Sequence, residues 1–275
     1  MRSYLKTKDY SVSGEEFQLL HDVDFDMLIT QPQPERLEEY YQSENYISHS
    51  DSNVTFLEKA YQAVKKYNLT KKVKLIKPYL GPQKSILDVG AGTGDFLIQA
   101  KHKGLSITGL EPNLSAREKA LKKGIELYED FESLPLKGYE VITLWHVLEH
   151  LPNLESQIKK LKSLLVKDGT LIIAVPNFRS YDAKYYGRFW AAYDVPRHLW
   201  HFSNTAIKKI FAQHRMEVLK TRPMLFDAFY VSMLSEKYKK GNYNYVKSLF
   251  IGLLSNIRAW NTQEYSSRIY VIKNS

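Results

Sequence analysis

Two short stretches concentrate the side chains that can do chemistry. The first, Leu144–Asn153 (LWHVLEHLPN), contains His146-x-x-Glu149-His150, a spelling that can offer two imidazoles and a carboxylate to zinc. A zinc protease needs a long helix carrying both histidines and a third protein ligand. Here the strand-like YEVITLW precedes the motif and Pro152 follows His150 by two residues, so any helical turn is short and the zinc reading is set aside. The second stretch, RFWAAYDVPRHLWHFS, gathers Tyr193, Asp194, Arg197, His198 and His201. Histidine titrates where protons move near neutrality, which makes His146 and His198 the base candidates. Tyr193, Arg197 and His201 are the groups expected against a polar substrate, with loop packing and capping by HFSN as the competing use. For Glu149 and His150 the favoured role is bracing their loop by hydrogen bonds.

A third stretch points to a ligand. ILDVGAGTGDFL places Gly90-x-Gly92-x-Gly94 directly between a strand and a helix, the turn that faces the ligand crevice of an open α/β sheet. Glycine lets backbone approach a ligand closely and accepts φ > 0. Glu111, in ITGLEPN, ends the next strand about 20 residues on, where an acid reaches ribose hydroxyls. The loop is one residue shorter than G-x-G-x-x-G and is preceded by Asp88. A carboxylate there suits a cation better than a pyrophosphate. S-adenosylmethionine (SAM) fits, having no phosphate, a protonated amino group and a positive sulfonium. A structural turn with no ligand is the lesser reading, given Glu111.

The elements that must position these groups alternate. SILDV, LSITGL, IELYE, YEVITLW and GTLIIAVPN read as strands; between them lie GDFLIQAKHKG, NLSAREKALKKG (Asn113 as N-cap, Gly124 past its end) and NLESQIKKLKSLLVKDG. That alternation means βαβ units and a parallel sheet with helices on both faces. Residues 1 to about 50 read as tyrosine-rich and irregular, and Val54–Leu80 shows helical spacing. Later, NTAIKKIFAQHRM is a helix, EVLKTRP a strand and SSRIYVIKN a closing strand. Between the last two lie two amphipathic patterns: Phe226, Phe229, Tyr230, Met233 and Leu234, then Val246, Leu249, Phe250, Leu253, Leu254 and Ile257. Core packing is the ordinary fate of such stripes. A dimer contact or a membrane surface, helped by Lys237, Lys239, Lys240 and Lys247, is the alternative.

The totals of this 275-residue chain exclude several classes. With no cysteine there is no disulfide, thiolate metal site or cysteine nucleophile, which removes thiolate-dependent cytosine-C5 methylation. The balance of 44% hydrophobic and 25% charged residues is that of an ordinary globular protein. No apolar run reaches the ~20 residues of a membrane span, and MRSYLKTKDYSVSG has no signal-peptide core; a cytoplasmic location is expected. The formal charge of +9 permits a nucleic-acid or anionic-surface partner, but its scatter fits a solvated lysine-rich surface better.

LDVGAGTGDFL, GLEPN, YEVITLWHVLEHLPN and GTLIIAVPN, in this order, resemble the class I SAM-dependent methyltransferases over about residues 85–220. The resemblance implies a doubly wound, mostly parallel seven-stranded sheet, a Rossmann-like fold whose final strand, RIYVIKN, is antiparallel. It also implies that Asp88, Gly90, Ala91, Gly92, Thr93 and Gly94 face the methionine part of SAM. Glu111 and Pro112 would serve the ribose, and the loop after the third strand the adenine, with Glu129 or Asp130 as the acid and Phe131 as a stacking ring. Trp145 would pack against the cofactor. The motif loop is similar to that of the ubiquinone-biosynthesis O-methyltransferases, which carry Glu-x-x-Glu-His and are associated with a divalent cation. This chain has His146 in place of the first Glu, and hard cations prefer carboxylate oxygens, so no metal is assigned.

The expected organisation is an N-terminal extension and helix covering the cofactor (1–80, with Tyr46 closing over it), a SAM-binding core (81–223), a helical insertion or lid (224–262) and a last core strand (263–275). The expected function is in-line methyl transfer to a small-molecule acceptor, an O-methylation of a sugar, lipid-linked or quinone-like substrate, by a monomer or homodimer. A nucleic-acid methyltransferase is disfavoured, because LWHV replaces the Asn/Asp-Pro-Pro-aromatic motif of amino-methylating DNA enzymes. A non-catalytic SAM-binding protein is the third reading.

Overall fold

The structure, a computed structural model, describes residues 1–41, 56–135 and 137–274; Tyr46 lies outside the described residues. The N-terminal segment is not irregular. It forms three antiparallel strands, β1 (Arg2–Lys8), β2 (Glu16–Asp22) and β3 (Met27–Gln31). Their apolar residues alternate over only a few positions, which hides them from a pattern search. The turns carry the signal instead. The Asp9 carboxylate accepts from the backbone N–H groups of Ser11, Val12 and Ser13 at 3.0, 3.1 and 2.9 Å, and Asp22 accepts from those of Asp24 and Phe25. Such Asp-centred turns close hairpins by replacing backbone partners.

The second sheet holds β4 (Ser85–Val89), β5 (Ser106–Leu110), β6 (Tyr139–Trp145), β7 (Leu165–Pro176), β9 (Met216–Pro223) and β10 (Ser267–Asn274), in the order β5-β4-β6-β7-β10-β9. A two-residue strand, β8 (Trp200–His201), pairs with β3 of the first sheet. β4 is buried at every position and pairs in parallel with β5 and β6, setting Asp88 beside Gly109 and Thr143. The helices are α1 (Phe56–Ile76), α2 (Asp95–Lys101), α3 (Leu114–Lys122), α4 (Leu154–Ser163), α5 (Tyr181–Tyr186), α6 (Asn204–Gln213), α7 (Asp227–Lys240) and α8 (Tyr245–Thr262). The mostly parallel α/β fold is therefore present, and among the described residues its sheet has six strands, not the expected seven. IELYE makes a single bridge, Leu110 to Tyr128. Of its residues only Ile125 is buried, and the Asp130 side chain then takes the Ser133 N–H at 2.8 Å, turning the chain away.

The chain divides into two compact units, one of Ser50–Val147, Glu155–Ile173 and Val271–Ser275, the other of Met1–His49, Leu148–Leu154 and Ala174–Tyr270. The first holds the glycine loop. The second has its own core, which includes Phe17, Leu19, Leu28, Phe178, Tyr186, Trp190 and Tyr193. Within it α7 and α8 pack against each other through small residues: a Cβ on Gly252 would lie 3.0 Å from the backbone N and Cα of Phe229. The α8 stripe expected in the core faces outward instead, with Ser248, Ile251, Gly252, Ser255 and Ala259 on the buried side.

Arg197 organises the second unit. Fully buried, its Nε donates to both Asp194 oxygens at 3.1 Å, its Nη1 to Asp9 and to the Tyr40 carbonyl, and its Nη2 to Asp9, Ser11 and Asp194 at 2.7–2.8 Å. Burial pushes both carboxyls up, but the hydrogen bonds and charge of Arg197 outweigh it and hold them below the usual range. Removing one partner of such a cluster strands the others in low dielectric. Arg197→Met should therefore lower stability by about 3–5 kcal/mol in urea unfolding. A loss near zero would contradict this role.

Candidate functional site

The glycine loop is shaped by one carboxylate. Gly90, Gly92 and Gly94 all have positive φ, at 70, 55 and 76°. The N–H groups of Gly90 and Ala91 both donate to the Leu110 carbonyl, at 2.8 and 2.9 Å, tying the end of β4 to the end of β5. Directly after Leu110, Glu111 accepts from the Gly92 N–H with one oxygen (2.8 Å) and from the Asn113 N–H with the other (2.9 Å). Each oxygen keeps a further lone pair for a ligand. Substitution is hardest at Gly90, where a Cβ would lie 2.4 Å from Val147 Cγ2; at Gly92 a Cβ meets nothing within 4 Å, so the loop is open there. Thr93 donates to Asp95, the first residue of α2, and Lys65 and Lys123 pair with the same carboxylate at 2.8 and 2.9 Å. Asn113 caps α3 through Ala116 N–H, as its spacing predicts.

Asp88 is buried near the end of β4 and accepts from the Thr143 hydroxyl at 2.6 Å. Burial pushes its carboxyl up to about 7, the Glu111 charge adds to this, and Thr143 and Lys72 oppose it. The protein thus holds a buried acid of raised proton affinity and a second carboxylate beside an open glycine loop. Trp145 lies in the same unit, edge-on to Phe96, with Lys72 Nζ 4.4 Å from its ring centre. Its Nε1 is buried with no hydrogen-bond partner among the described residues. Pro112 is exposed and its carbonyl accepts from Arg117. Asp130 uses its carboxylate in the Ser133 turn, and Phe131 lies 5.9 Å from Lys160 Nζ. Thr143 and Lys72 are the functional neighbours that sequence reasoning missed. Thr143 was findable from parallel register with Asp88; Lys72 carried no signal.

The histidines separate. His146 ends β6 in a left-handed conformation, φ 59°, a strained state for a residue with a Cβ and one often kept at functional turns. Glu149 and His150 sit on a single 3-10 turn, Leu148–His150, so no long helix presents two zinc ligands. His150 Nδ1 lies 2.8 Å from the Tyr41 hydroxyl and 3.0 Å from the Arg197 carbonyl, and Leu199 N–H donates to the Glu149 carbonyl at 2.9 Å. Burial, then the His198 charge, lowers the His150 pKa to about 4.

His198 Nδ1 is 2.8 Å from the Ala192 carbonyl. A carbonyl only accepts, so Nδ1 carries the proton and the neutral ring keeps its lone pair on Nε2. Glu149, His150 and His198 could hold a cation, since their ligand atoms lie within 4.8 Å of one another; the motif loop supplies two members and His198, not His146, the third. His201 is braced differently. The Thr30 hydroxyl gives its proton to the His198 carbonyl at 2.6 Å, so it can only accept from His201 Nε2 at 3.0 Å. Burial holds His201 well below the usual range. Tyr193 is buried between Trp190 and His201. Arg197, expected against a substrate, has its guanidinium donors taken by Asp9, Asp194, Ser11 and Tyr40.

These shifts set opposite pH slopes. Between about 4 and about 7 the folded chain keeps a proton on Asp88 that the unfolded chain has lost, so this group lowers stability as pH rises, by about 1.4 kcal/mol per unit at the steepest. His150 and His201, held neutral, do the reverse: their contribution is lost as pH falls. The difference between wild type and Asp88→Asn isolates the acid. In urea unfolding from pH 4 to 8 the substitution should gain stability relative to wild type as pH rises; a pH-independent difference would refute the raised Asp88 pKa.

A family model described as a methyltransferase domain matches residues 60–221. The ubiquinone biosynthesis O-methyltransferase of Salmonella paratyphi A is 31% identical over 104 residues, covering 34% of this chain and 43% of that protein. The Yersinia enterocolitica enzyme of the same name is 35% identical over 104 residues with the same shares. The chain spans less than half the length of these curated relatives. Among solved structures, the Synechocystis magnesium protoporphyrin IX methyltransferase with bound SAM matches with a TM-score of 0.53 at 16% identity, over 86% of this chain and 94% of that one. The Mycobacterium tuberculosis cyclopropane synthase matches at 0.55 and 13%, over 89% and 100%; both likenesses are of fold. With more than half of its length matched, the chain belongs to the methyltransferase domain family.

Proposed function

We propose that the chain is a SAM-dependent methyltransferase that methylates an oxygen of a small-molecule acceptor, of sugar, lipid-linked or quinone-like type. The observation that carries the reading is the pairing of an open glycine loop with two carboxylates, the buried Asp88 near the end of β4 and Glu111, which accepts from the Gly92 N–H. A phosphate would be repelled there, whereas a ligand with an ammonium and a sulfonium is welcomed. The buried Trp145 Nε1, without a hydrogen-bond partner among the described residues, offers a donor besides.

Asp88, Gly90, Ala91, Gly92, Thr93 and Gly94 would hold the methionine part and Glu111 the ribose, beside Trp145. When bound, the cofactor supplies a methyl group activated by its sulfonium. The protein's tasks are alignment and, for a hydroxyl acceptor, removal of one proton. His198 suits that step because its proton is fixed on Nδ1 by Ala192 and its Nε2 keeps the lone pair. His146, at its left-handed turn, has the role of shaping the loop. Asp130, its carboxylate engaged by Ser133, serves the adenine loop by geometry more than by direct contact.

The test is transfer of labelled methyl from SAM across hydroxyl-bearing acceptor classes. His198→Asn should cut turnover on the accepted substrate by about 100-fold or more while SAM affinity stays within error. Unchanged turnover would remove His198 as the base, and no transfer to any hydroxyl acceptor would remove the O-methylation reading.

A further inference from the structure

The outward face of α8 inverts the usual arrangement of an amphipathic helix. Its buried side carries Ser248, Ile251, Gly252, Ser255 and Ala259, with the Ser248 hydroxyl reaching the Ser232 carbonyl of α7. Away from it stand Val246, Leu249, Phe250, Leu253, Ile257 and Trp260, from 51% exposed at Ile257 to 81% at Val246. At spacings of three and four they form one stripe along an 18-residue helix, a length of about 27 Å. The apolar surface continues onto Leu225, whose carbonyl accepts from Asn256 Nδ2 at 2.9 Å, and Phe226. Large contiguous apolar patches on soluble chains mark a contact with something else.

Charge identifies the partner. From Lys237 to Gln263 the chain carries five cations and no carboxylate. Lys247 answers the buried Glu236 at 3.0 Å, which leaves Lys237, Lys239, Lys240 and Arg258. A second copy would bring the same cations to the same face, because a two-fold contact is self-complementary, and the like charges would oppose it. An anionic bilayer offers opposite charge together with an apolar interior. Tyr243 and Tyr245 at one end of the stripe and Trp260 at the other are amphipathic rings that settle at the headgroup level.

We propose that α8 lies along an anionic phospholipid surface, with its apolar stripe in the interface and the flanking cations at the headgroups. It lies on the bilayer and does not cross it, since no helix among the described residues is long and apolar enough to span. The proposal is independent of the methyl-transfer reading.

The full chain should co-sediment with vesicles of phosphatidylcholine containing phosphatidylglycerol, bind pure phosphatidylcholine far less, and be released by salt. Phe250→Asp with Leu253→Asp should weaken binding by about tenfold or more without lowering the melting temperature, because both side chains are exposed. Lys240→Glu with Arg258→Glu, also on the surface, should weaken it through charge alone. Trp260→Tyr should remove most of the blue shift in tryptophan emission on binding. No binding to anionic vesicles, or equal binding by the Asp and Glu variants, would overturn the proposal. So would a dimer in light scattering that the Asp variant dissociates and that ignores vesicles.

Discussion

The Glu111 carboxylate is the constraint on which the proposed cofactor site depends. By accepting from Gly92 and Asn113 at once it joins the glycine loop to the start of α3. With the two bonds to the Leu110 carbonyl, it fixes a turn in which three glycines take positive φ. Burial is the main reason that the proton affinity of Asp88 is raised, and the charge of the same Glu111 carboxylate adds to it. Glu111 therefore shapes the loop and also contributes to the local field. A cationic ligand beside both carboxylates would favour the ionised form of Asp88, which burial disfavours.

Much of this was legible in the sequence because it is local. The strand–glycines–helix order around Asp88, the acid ending the next strand and the Asn113 cap each depend on neighbours a few residues apart. What could not be read depends on partners far away. Arg197 looked like a substrate contact, since nothing near it in the chain announces that Asp9 takes its Nη2 at 2.8 Å. His198 and His201 look alike in HLWH, yet one is oriented by Ala192 and the other by Thr30. The third strand failed because alternation in IELYE is outweighed by the turn at Asp130. β1–β3 were missed because their apolar runs are short and their information sits in Asp turns.

The α8 stripe shows a different limit. Periodicity located the apolar residues correctly and misjudged which side is buried, because α7 packs on glycine, serine and alanine. Small residues let the backbones approach, and the large side chains are then left outside. The helix pattern carries no information about which of its two non-charged faces meets a neighbour.

The histidine motif that opens the sequence reading is resolved into parts. His146 takes a left-handed turn directly after β6, while Glu149 and His150 sit on a 3-10 turn and stand beside His198. The central claim, that a cation binds between Asp88 and Glu111, is tested most directly by titration calorimetry with SAM near pH 6.5 in buffers of different ionisation heat. Binding should release protons as the Asp88 pKa falls from about 7, and Asp88→Asn should abolish the release. Binding with no proton release, or no binding at millimolar SAM, would contradict the account.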